Sequence, residues 1–521
     1  MNLWFSSQLQ VTSVNVKPGS RSERRVIEVF RELVEDQADW ITVYSTPVVK
    51  WDWRECVVEA CGRRYECRPL PYTGKTTGEG RLLQASLPAA VRGDLSGRVL
   101  LYKHPTSILE LRFLVGEALK TGVEAVVLVG EGVSRHAVLS GSLPILKPST
   151  PPVVPVVTVD AASISECSEG VVRVYVDAEL EEGTGGSILA GFNGRSDLSV
   201  HVSVHHDGLP QDTASIRDYI KLFKDTVLHL SRASEGRLTV VLASFTAKET
   251  GDPELNDYTW SWGSRYLLDI MDSKGLLENT LLDLNLEAGM DNRVIVKDNP
   301  VPLLSGSGEQ SLQDVIDPRG VHFALDSLMY LRHGVPAISV TGLKNTVRES
   351  VKRGQLNSIL EILAKRVVEI AEDPGRALKE AWSSLLVKLG ESRLELRDLL
   401  TRVLELSRLT GSLSALKALT LLSSSITFMY LVTREGLNTC MEHALLSRIA
   451  GECTRSASGF KRGRIIAWSL DELIMDAEVS LSEEVLSDIA RRVDSMILVK
   501  NSELLNKMLE LQVCRSCLKV Q

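Results

Sequence analysis

The chain has few aromatic residues and no strongly basic segment. Aromatics make up 5% of the 521 positions, and 59 lysines and arginines stand against 67 aspartates and glutamates, which leaves a net charge of -8. Proteins that bind nucleic acid through phosphate contacts usually carry a basic patch or stripe. Nucleic acid is therefore not expected as a partner.

Long apolar runs are also missing. The longest uncharged stretch, Ala418 to Thr433, has 16 residues and several serines and threonines, whereas a bilayer-spanning helix needs about 20 apolar residues. The first residues, MNLWFSSQLQVTSVNV, lack the basic segment followed by an apolar segment that marks a secretory signal. These absences predict a soluble, cytoplasmic protein with no membrane partner.

Cysteine is scattered through the chain at eight positions. Only Cys514 and Cys517, in Cys-Arg-Ser-Cys, have a spacing typical of metal or redox sites, and no second Cys or His pair lies near them. Ordinary thiols or a local disulfide are favoured over a structural zinc, and the role of this pair stays open.

The first 182 residues suggest one unit with another inserted into it. A capping box at Ser20 to Glu23 precedes a helical apolar pattern, and strands are predicted at 41–49 and 56–68. A glycine-rich polar stretch then leads into short strands and a proline cluster, which together indicate a β-rich insert over 73–182. The segment Gly183-Thr-Gly-Gly-Ser187 is interpreted as a flexible joint.

Strands and helices alternate between residues 198 and 345. Such alternation is typical of a mainly parallel sheet flanked by helices on both faces, in which sites lie at the carboxyl ends of the strands. The predicted strands are 198–204, 238–244, 281–286 and 337–340, and the predicted helices are 216–231, 262–274, 327–333 and 350–372.

A break at Asp373-Pro-Gly375 ends this pattern, and apolar residues then recur every three or four positions. The fold class predicted is therefore α/β, with a β-rich insert and an α-helical C-terminal domain. The predicted boundaries are 1–72 for the N-terminal part of the core, 73–182 for the insert, 183–372 for the core and 373–521 for the helical domain. The C-terminal helices are predicted to form a homodimer interface.

Polar residues follow three of the predicted strands. His205-His-Asp207 comes after the first strand, with Asp212 soon after, Lys248-Glu249 follows the second, and Glu287 ends the third. A His and several carboxylates at one edge of a sheet are the residue types that bind zinc.

These residues, in this order, resemble the zinc-dependent aminopeptidase family that also contains glutamate carboxypeptidase and the transferrin receptor. The most specific stretches are Ser244-Phe-Thr-Ala-Lys-Glu-Thr-Gly-Asp252 and Trp260-Ser-Trp-Gly-Ser-Arg265. Asp326, followed by Tyr330 and Gly334-Val-Pro-Ala337, matches a later element of the family. The resemblance covers roughly residues 20 to 350 and implies an exopeptidase core with an inserted protease-associated domain.

The resemblance also implies roles for single residues. His205 corresponds to the first metal-binding His, and Asp207 to the Asp that orients it through its other nitrogen. Asp212 corresponds to the Asp that bridges two metals, and Glu249 to a metal-binding Glu. Glu287 stands where the family usually has an Asp ligand.

Asp283 competes with Glu287 for that last role. Of the remaining histidines, four lie near the predicted site elements but are interpreted as core or surface residues: His201, His229, His322 and His333.

Two departures from the family pattern affect the chemistry. Lys248 occupies the position of the Glu that accepts a proton from the metal-bound water, and an ammonium cannot accept it. The family's last His ligand is also missing, because 343–349 contains no His and the only one after His333 is His443. One metal keeps His205, Asp212 and Glu287, so at most one well-bound zinc is expected.

The resemblance therefore favours a degenerate dinuclear site on an aminopeptidase-like scaffold, a pseudoenzyme that is weakly active or inactive and binds a peptide or protein. The alternative is an active metal-dependent aminopeptidase or carboxypeptidase that uses a mononuclear or rearranged site. Lys248 is expected to point at Asp212 and Glu249, where its charge replaces the second metal. In the competing interpretation, Lys248 faces solvent.

Overall fold

The computed structural model describes the following residues: 16–85, 93–103, 121–130, 154–160, 169–208, 213–253, 261–287, 294–298, 301–304, 315–316, 325–342, 353–389, 464–468, 473–478 and isolated positions at 118, 164, 167, 401, 412–413, 416–417 and 419–420.

One mixed sheet of 13 strands organises the described part of the chain. Its main path runs β12-β13-β11-β9-β10-β8-β4-β5-β6-β7-β3, and β1 pairs with β8 and β2. The strands are β1 Trp40–Ala60, β2 Arg63–Glu66, β3 Arg68–Pro69, β4 Thr76–Ala85, β5 Arg98–Lys103, β6 Ala125–Gly130, β7 Val156–Asp160, β8 Val171–Phe192, β9 Ser199–His205, β10 Thr239–Phe245, β11 Thr280–Leu286, β12 Val294–Lys297 and β13 Ala337–Gly342.

Helices cover both faces of the core strands. They are α1 Arg21–Val34, α2 Thr213–Ala233, α3 Trp262–Ser273, α4 Ser327–Arg332, α5 Arg353–Glu372 and α6 Pro374–Leu389. One face packs against α1, α2, α5 and α6 through a large apolar cluster, and the other packs against α3 and α4. The α/β prediction for 198–345 is confirmed, because β9, β10, β11 and β13 are parallel neighbours connected through helices.

The capping box is present at the start of α1. The Ser20 hydroxyl accepts a hydrogen bond from the Glu23 backbone N–H at 3.2 Å. The Glu23 carboxylate accepts from the Gly19 N–H at 2.8 Å. The first bond satisfies a backbone donor that the helix start leaves open, and the second anchors the residue before the N-cap.

The flexible-joint interpretation of Gly183 to Ser187 is wrong. The segment lies inside β8 and pairs with β1 without a break, for example Pro47 with Thr184. A Cβ on Gly185 would lie 2.7 Å from the Thr246 hydroxyl oxygen. These glycines therefore permit close packing of neighbouring chain segments, which is a regular use of glycine within strands.

The predicted insert shares this sheet. Strands β1 and β8 pair along their length, with one register shift between Trp53 and Glu55, and β8 also pairs with β4. Strands β4 to β7 then run parallel to one another. The region 73–182 thus continues the sheet, and its assignment as a protease-associated domain stays a prediction.

Two disulfides lie where the region 73–182 meets the preceding strands. Cys56 bonds to Cys67, and Cys61 bonds to Cys167, which is 106 residues away. The sequence did not predict these bonds, since connectivity depends on which thiols the fold brings together. Disulfides are commonest in oxidising compartments, and the cytoplasmic location stays a prediction.

The C-terminal region is described only in part. Helix α6 agrees with the helical prediction for 373–521, but a hairpin of β14 Arg464–Trp468 and β15 Leu473–Glu478 departs from it. Short apolar runs such as these fit helix and strand patterns equally well. Cys514, Cys517 and His443 lie outside the described residues, and the homodimer stays a prediction. No described helix combines the length and apolar character needed to cross a membrane.

Candidate metal centre

The carboxyl ends of three parallel strands meet at one edge of the sheet. His205 is the last residue of β9 and pairs with Phe245, the last residue of β10. Glu287 directly follows β11, whose Asn285 pairs with Ser203 of β9. The register therefore places the predicted polar residues together.

His205, Glu249 and Glu287 form a three-donor cluster. One ligand atom from each lies within 4.8 Å of the others, which confirms that these residues converge. His205 is 4% exposed and Glu287 8% exposed, whereas Glu249 is half-buried, so water reaches the cluster mainly on the Glu249 side. Asp212, the predicted bridging ligand, lies outside the described residues.

The imidazole of His205 is held in one orientation. Its Nδ1 lies 3.0 Å from the Asp207 backbone carbonyl oxygen and 3.4 Å from the Asp207 carboxylate. Nδ1–H donates to that carbonyl, which directs the Nε2 lone pair at the carboxylates. Nε2 lies 3.5 Å from Glu287 Oε1 and makes no hydrogen bond to any described residue.

Asp207 has a larger role than the sequence predicted. Its carboxylate accepts hydrogen bonds from the backbone N–H groups of Lys248 at 3.1 Å and Glu249 at 2.8 Å. The backbone carbonyl of Asp207, with the carboxylate nearby, orients His205. Asp207 thus joins the end of β9 to the loop after β10.

Lys248 points into the site. Its side chain is 2% exposed, and its ammonium forms a direct ion pair with Glu287 Oε1. The solvent-facing interpretation is therefore wrong. The sequence predicted Asp212 and Glu249 as the groups it faces, whereas the ion pair seen here is made with Glu287.

The loop that carries Lys248 is closely held. Ala247 has a φ of 51°, a left-handed conformation that costs energy in a residue with a Cβ. The Lys248 carbonyl accepts from the Ser261 N–H at 3.0 Å. This hydrogen bond from the N-cap of α3 thus fixes the loop backbone at Lys248.

Two tyrosines that the sequence did not single out also position the site. The Tyr219 hydroxyl donates to the His205 carbonyl oxygen at 2.7 Å. The Tyr72 hydroxyl accepts from the N–H groups of Gly251 at 2.5 Å and Asp252 at 3.1 Å. Neither tyrosine lies in a recognisable motif, and their hydrogen-bond partners are distant in the chain. The sequence therefore could not predict that they contact the site.

A second unforeseen group involves the other histidine of the His-His-Asp run. His206 Nδ1 lies 2.8 Å from the Ser244 hydroxyl oxygen, and its Nε2 lies 3.4 Å from the Glu23 carboxylate. His206 is 1% exposed and faces α1, away from the three-donor cluster. It ties the N-terminal helix to the core and takes no part in the cluster.

The other described histidines agree with their predicted core or surface roles. His201 is buried, and its Nδ1 lies 2.9 Å from the Tyr330 hydroxyl. Burial, with a contribution from Lys417, lowers the pKa of His201 to about 3, so it is neutral near pH 7. His333 pairs with Asp269 and Asp272 outside the site. His229 is half-buried on α2, and His322 lies outside the described residues.

Asp283 is excluded from the metal centre. It lies four residues before Glu287 on the same face of β11, and in the strand register it is opposite His201 of β9. It is fully buried, and neither of its carboxylate oxygens meets hydrogen-bond geometry with a described residue. Burial raises the pKa of Asp283 well above its usual range, the Ser203 hydroxyl lowers it in part, and Asp326 raises it further.

We expect Asp283→Asn to increase the free energy of unfolding near pH 7 by about 1–3 kcal/mol, because burial penalises the ionised carboxylate and the amide carries no charge. A carboxyl whose pKa is raised on folding binds more protons when folded. Stability is then greatest below its ordinary pKa of 3.8 and falls as pH rises through the higher folded-state value.

The thermal midpoint measured from pH 4 to pH 8 checks this expectation. The wild-type midpoint should fall with pH more steeply than that of Asp283→Asn. Asp36→Asn, at an exposed position after α1, serves as the matched control and should follow the wild type. A destabilised Asp283→Asn variant at pH 7 would contradict the interpretation.

Comparison with known proteins gives matches in structure but not in sequence. No family model matches the chain, and no curated protein matches it. A zinc aminopeptidase from Bacillus subtilis, BSAP, superposes with a TM-score of 0.51 at 15% identity, over 70% of this chain and 92% of that one. The chain has a zinc-exopeptidase-like fold.

Two further structures are similar at lower scores. An aminopeptidase from Aneurinibacillus sp. strain AM-1 is 16% identical and superposes with a TM-score of 0.48, over 69% of this chain and 91% of that one. A Peptidase M28 precursor from Shewanella amazonensis is 12% identical and superposes with a TM-score of 0.44, over 69% of this chain and 89% of that one.

The donor set fits one zinc ion. A His nitrogen and two carboxylates are ligand types that zinc accepts. The orphaned, buried His205 Nε2 faces Glu287 Oε1 at 3.5 Å, close to the spacing of about 3.4 Å expected for two donors at zinc bond lengths and a tetrahedral angle. The ion pair between Lys248 and Glu287 opposes this fit, because it places a positive charge on one of the three donor residues.

Proposed function

We propose that this protein is an aminopeptidase-like peptide- or protein-binding protein with a degenerate metal site, and that it hydrolyses peptides weakly or not at all. The observation that carries the proposal is the buried ion pair between the Lys248 ammonium and the Glu287 carboxylate. The family resemblance places the proton-accepting Glu at position 248.

Hydrolysis by a metal-bound water requires a group that takes the proton from that water. Lys248 is cationic in its ion pair and has no free electron pair to accept a proton. Glu249 lies in the three-donor cluster, where binding a metal would engage its carboxylate. The described residues of the site therefore supply metal ligands but no separate general base.

His205, Glu249 and Glu287 are the residues that would hold zinc. When bound, zinc polarises a carbonyl and lowers the pKa of a bound water. Asp207 would keep His205 and the 248–249 backbone in place. Without a base, these groups favour binding a peptide over cleaving it.

An active enzyme is the second candidate. It is favoured by the complete cluster of three donors within 4.8 Å, which is the number that many catalytic zinc sites use. In this alternative, an aminopeptidase or carboxypeptidase would use a mononuclear or rearranged site, with Glu249 or Asp212 as the proton acceptor.

Hydrolysis assays on protein purified without chelator and then loaded with zinc separate the two candidates. Aminoacyl and carboxyl-terminal peptide substrates should show no turnover above that of the chelated sample. His205→Ala identifies contaminating peptidase, because activity that survives this substitution does not come from the site. Zinc-dependent turnover of about 1 per second or faster, in the range of ordinary enzymes, that His205→Ala abolishes would establish the enzyme instead.

A further inference from the structure

The centre holds two carboxylates close together, one of them half-buried and the other 8% exposed. Ligand oxygens of Glu249 and Glu287 lie within 4.8 Å of each other, and Asp207, which is 1% exposed, lies on the other side of His205. Like charges at this range repel strongly when they are withdrawn from water. The site therefore requires a positive charge beside these carboxylates, and Lys248 supplies one.

The same carboxylate serves the ammonium and the metal cluster. Glu287 Oε1 is in direct contact with Lys248 Nζ, and it is also the atom that lies 3.5 Å from His205 Nε2. A cation bound to both His205 Nε2 and Glu287 would stand next to the ammonium. Two cations on one carboxylate in a largely buried site would repel each other.

The side chain of Lys248 can leave while its backbone stays. Asp207 holds the Lys248 N–H, and the Ser261 N–H donates to the Lys248 carbonyl. The ammonium lies at the end of a flexible four-carbon chain. A swing of that chain would vacate Glu287 without moving Glu249 or His205.

We propose that Lys248 is a built-in competitor of the divalent cation: the site is closed by its ammonium on Glu287, or it binds zinc through His205, Glu249 and Glu287 with Lys248 displaced. This inference deepens the proposed function and rests on it for the location of the site. Lys248 sets how tightly the chain holds zinc, independently of whether the chain cleaves peptides.

Zinc affinity, measured by competition with a chromophoric chelator, tests the proposal. Lys248→Met keeps most of the length of the side chain and removes its charge, so it should bind zinc at least about 10-fold more tightly than the wild type. Lys248→Arg keeps the charge and should bind no more tightly than the wild type. Lys75→Met is the matched control, since Lys75 is an exposed lysine paired with Asp177, and its zinc affinity should equal that of the wild type.

Thermal unfolding gives a second readout. Without zinc, Lys248→Met should unfold at a lower temperature than the wild type, because the carboxylates lose their counter-charge. Zinc should raise its midpoint more than it raises that of the wild type, since at a given zinc concentration the stabilisation increases with the logarithm of the affinity. Lys248→Gln replaces Lys248→Met in both measurements if the methionine variant does not fold.

Equal or weaker zinc binding by the uncharged variants would overturn the proposal. So would tight binding that persists when His205→Ala is added to Lys248→Met, because the ion would then lie elsewhere. Both readouts work without substrate. Peptide hydrolysis by the wild type would contradict the proposed function and leave this inference standing, whereas an unchanged affinity would contradict the inference alone.

Discussion

Gly263→Ala is expected to destabilise the core and displace the loop that carries Lys248. Gly263 is the second residue of α3, and a Cβ there would lie 1.9 Å from the Thr246 carbonyl oxygen and 2.8 Å from its carbonyl carbon. Overpacking usually costs about 1–3 kcal/mol. We expect about 4 kcal/mol or more, because the obstacle is backbone, and a large loss of this kind has a specific steric cause.

The displaced segment leads directly into the site. Thr246 and Ala247 precede Lys248, and the Gly263 N–H also donates to the Ala247 carbonyl at 3.4 Å. Zinc affinity should therefore fall at least about 10-fold along with stability. Calorimetry should show a thermal midpoint lower by about 10 °C for a domain of this size.

Gly375→Ala is the matched control. Gly375 is also the second residue of its helix, α6, but a Cβ there would meet only side-chain atoms of Ser412 and Asp373, at 3.1 Å and beyond. Since alanine favours helix, this variant should stay within about 1 kcal/mol of the wild type. Equal midpoints for the two variants would show that Gly263 is not required for close packing.

Glu23→Ala is expected to cost about 3–5 kcal/mol, the range for removing one partner of a buried charged network. Glu23 is 1% exposed. Its carboxylate accepts from the Gly19 N–H and the Thr246 hydroxyl and lies 3.4 Å from His206 Nε2. Alanine would leave these buried groups without their acceptor and would remove the link between α1 and the end of β10.

Urea unfolding measures this loss, and two further variants separate its causes. Glu23→Gln keeps one acceptor oxygen and should recover part of the stability. Glu28→Ala, on the same helix, removes an exposed Glu paired with Arg25 and should change stability by no more than about 0.5 kcal/mol. A Glu23→Ala variant as stable as Glu28→Ala would show that the network does not hold α1 in place.

The sequence predicted the core elements well because their signals are local. Strands buried on both faces, such as β9 and β11, are short apolar runs, and the helices between them repeat apolar residues at helical spacing. Most predicted bounds in this region agree with the structure to within three residues. Polar residues that interrupt this pattern at strand ends stood out for the same reason.

The sequence could not choose between alternatives that depend on neighbours far along the chain. Asp283 and Glu287 are four residues apart and point to the same side of the sheet. Because β9 and β10 end level with Glu287, Glu287 lies at the carboxyl edge of the sheet, whereas Asp283 is buried between the strands. The glycines of 183–187 predicted a flexible joint from the sequence. In the structure, they allow close packing against neighbours such as Thr246, which is distant in the chain. The disulfide from Cys61 to Cys167 depends on the same kind of long-range proximity.

The sequence by itself determined the α/β alternation, the convergence of His205, Glu249 and Glu287, and the presence of a lysine where the resemblance calls for a base. Residue type and strand position are sufficient for these conclusions. Only the tertiary structure decided that Lys248 turns inward and that its partner is Glu287. The direction of a long flexible side chain is set by the charges that the fold collects around it, and those charges come from three different strands.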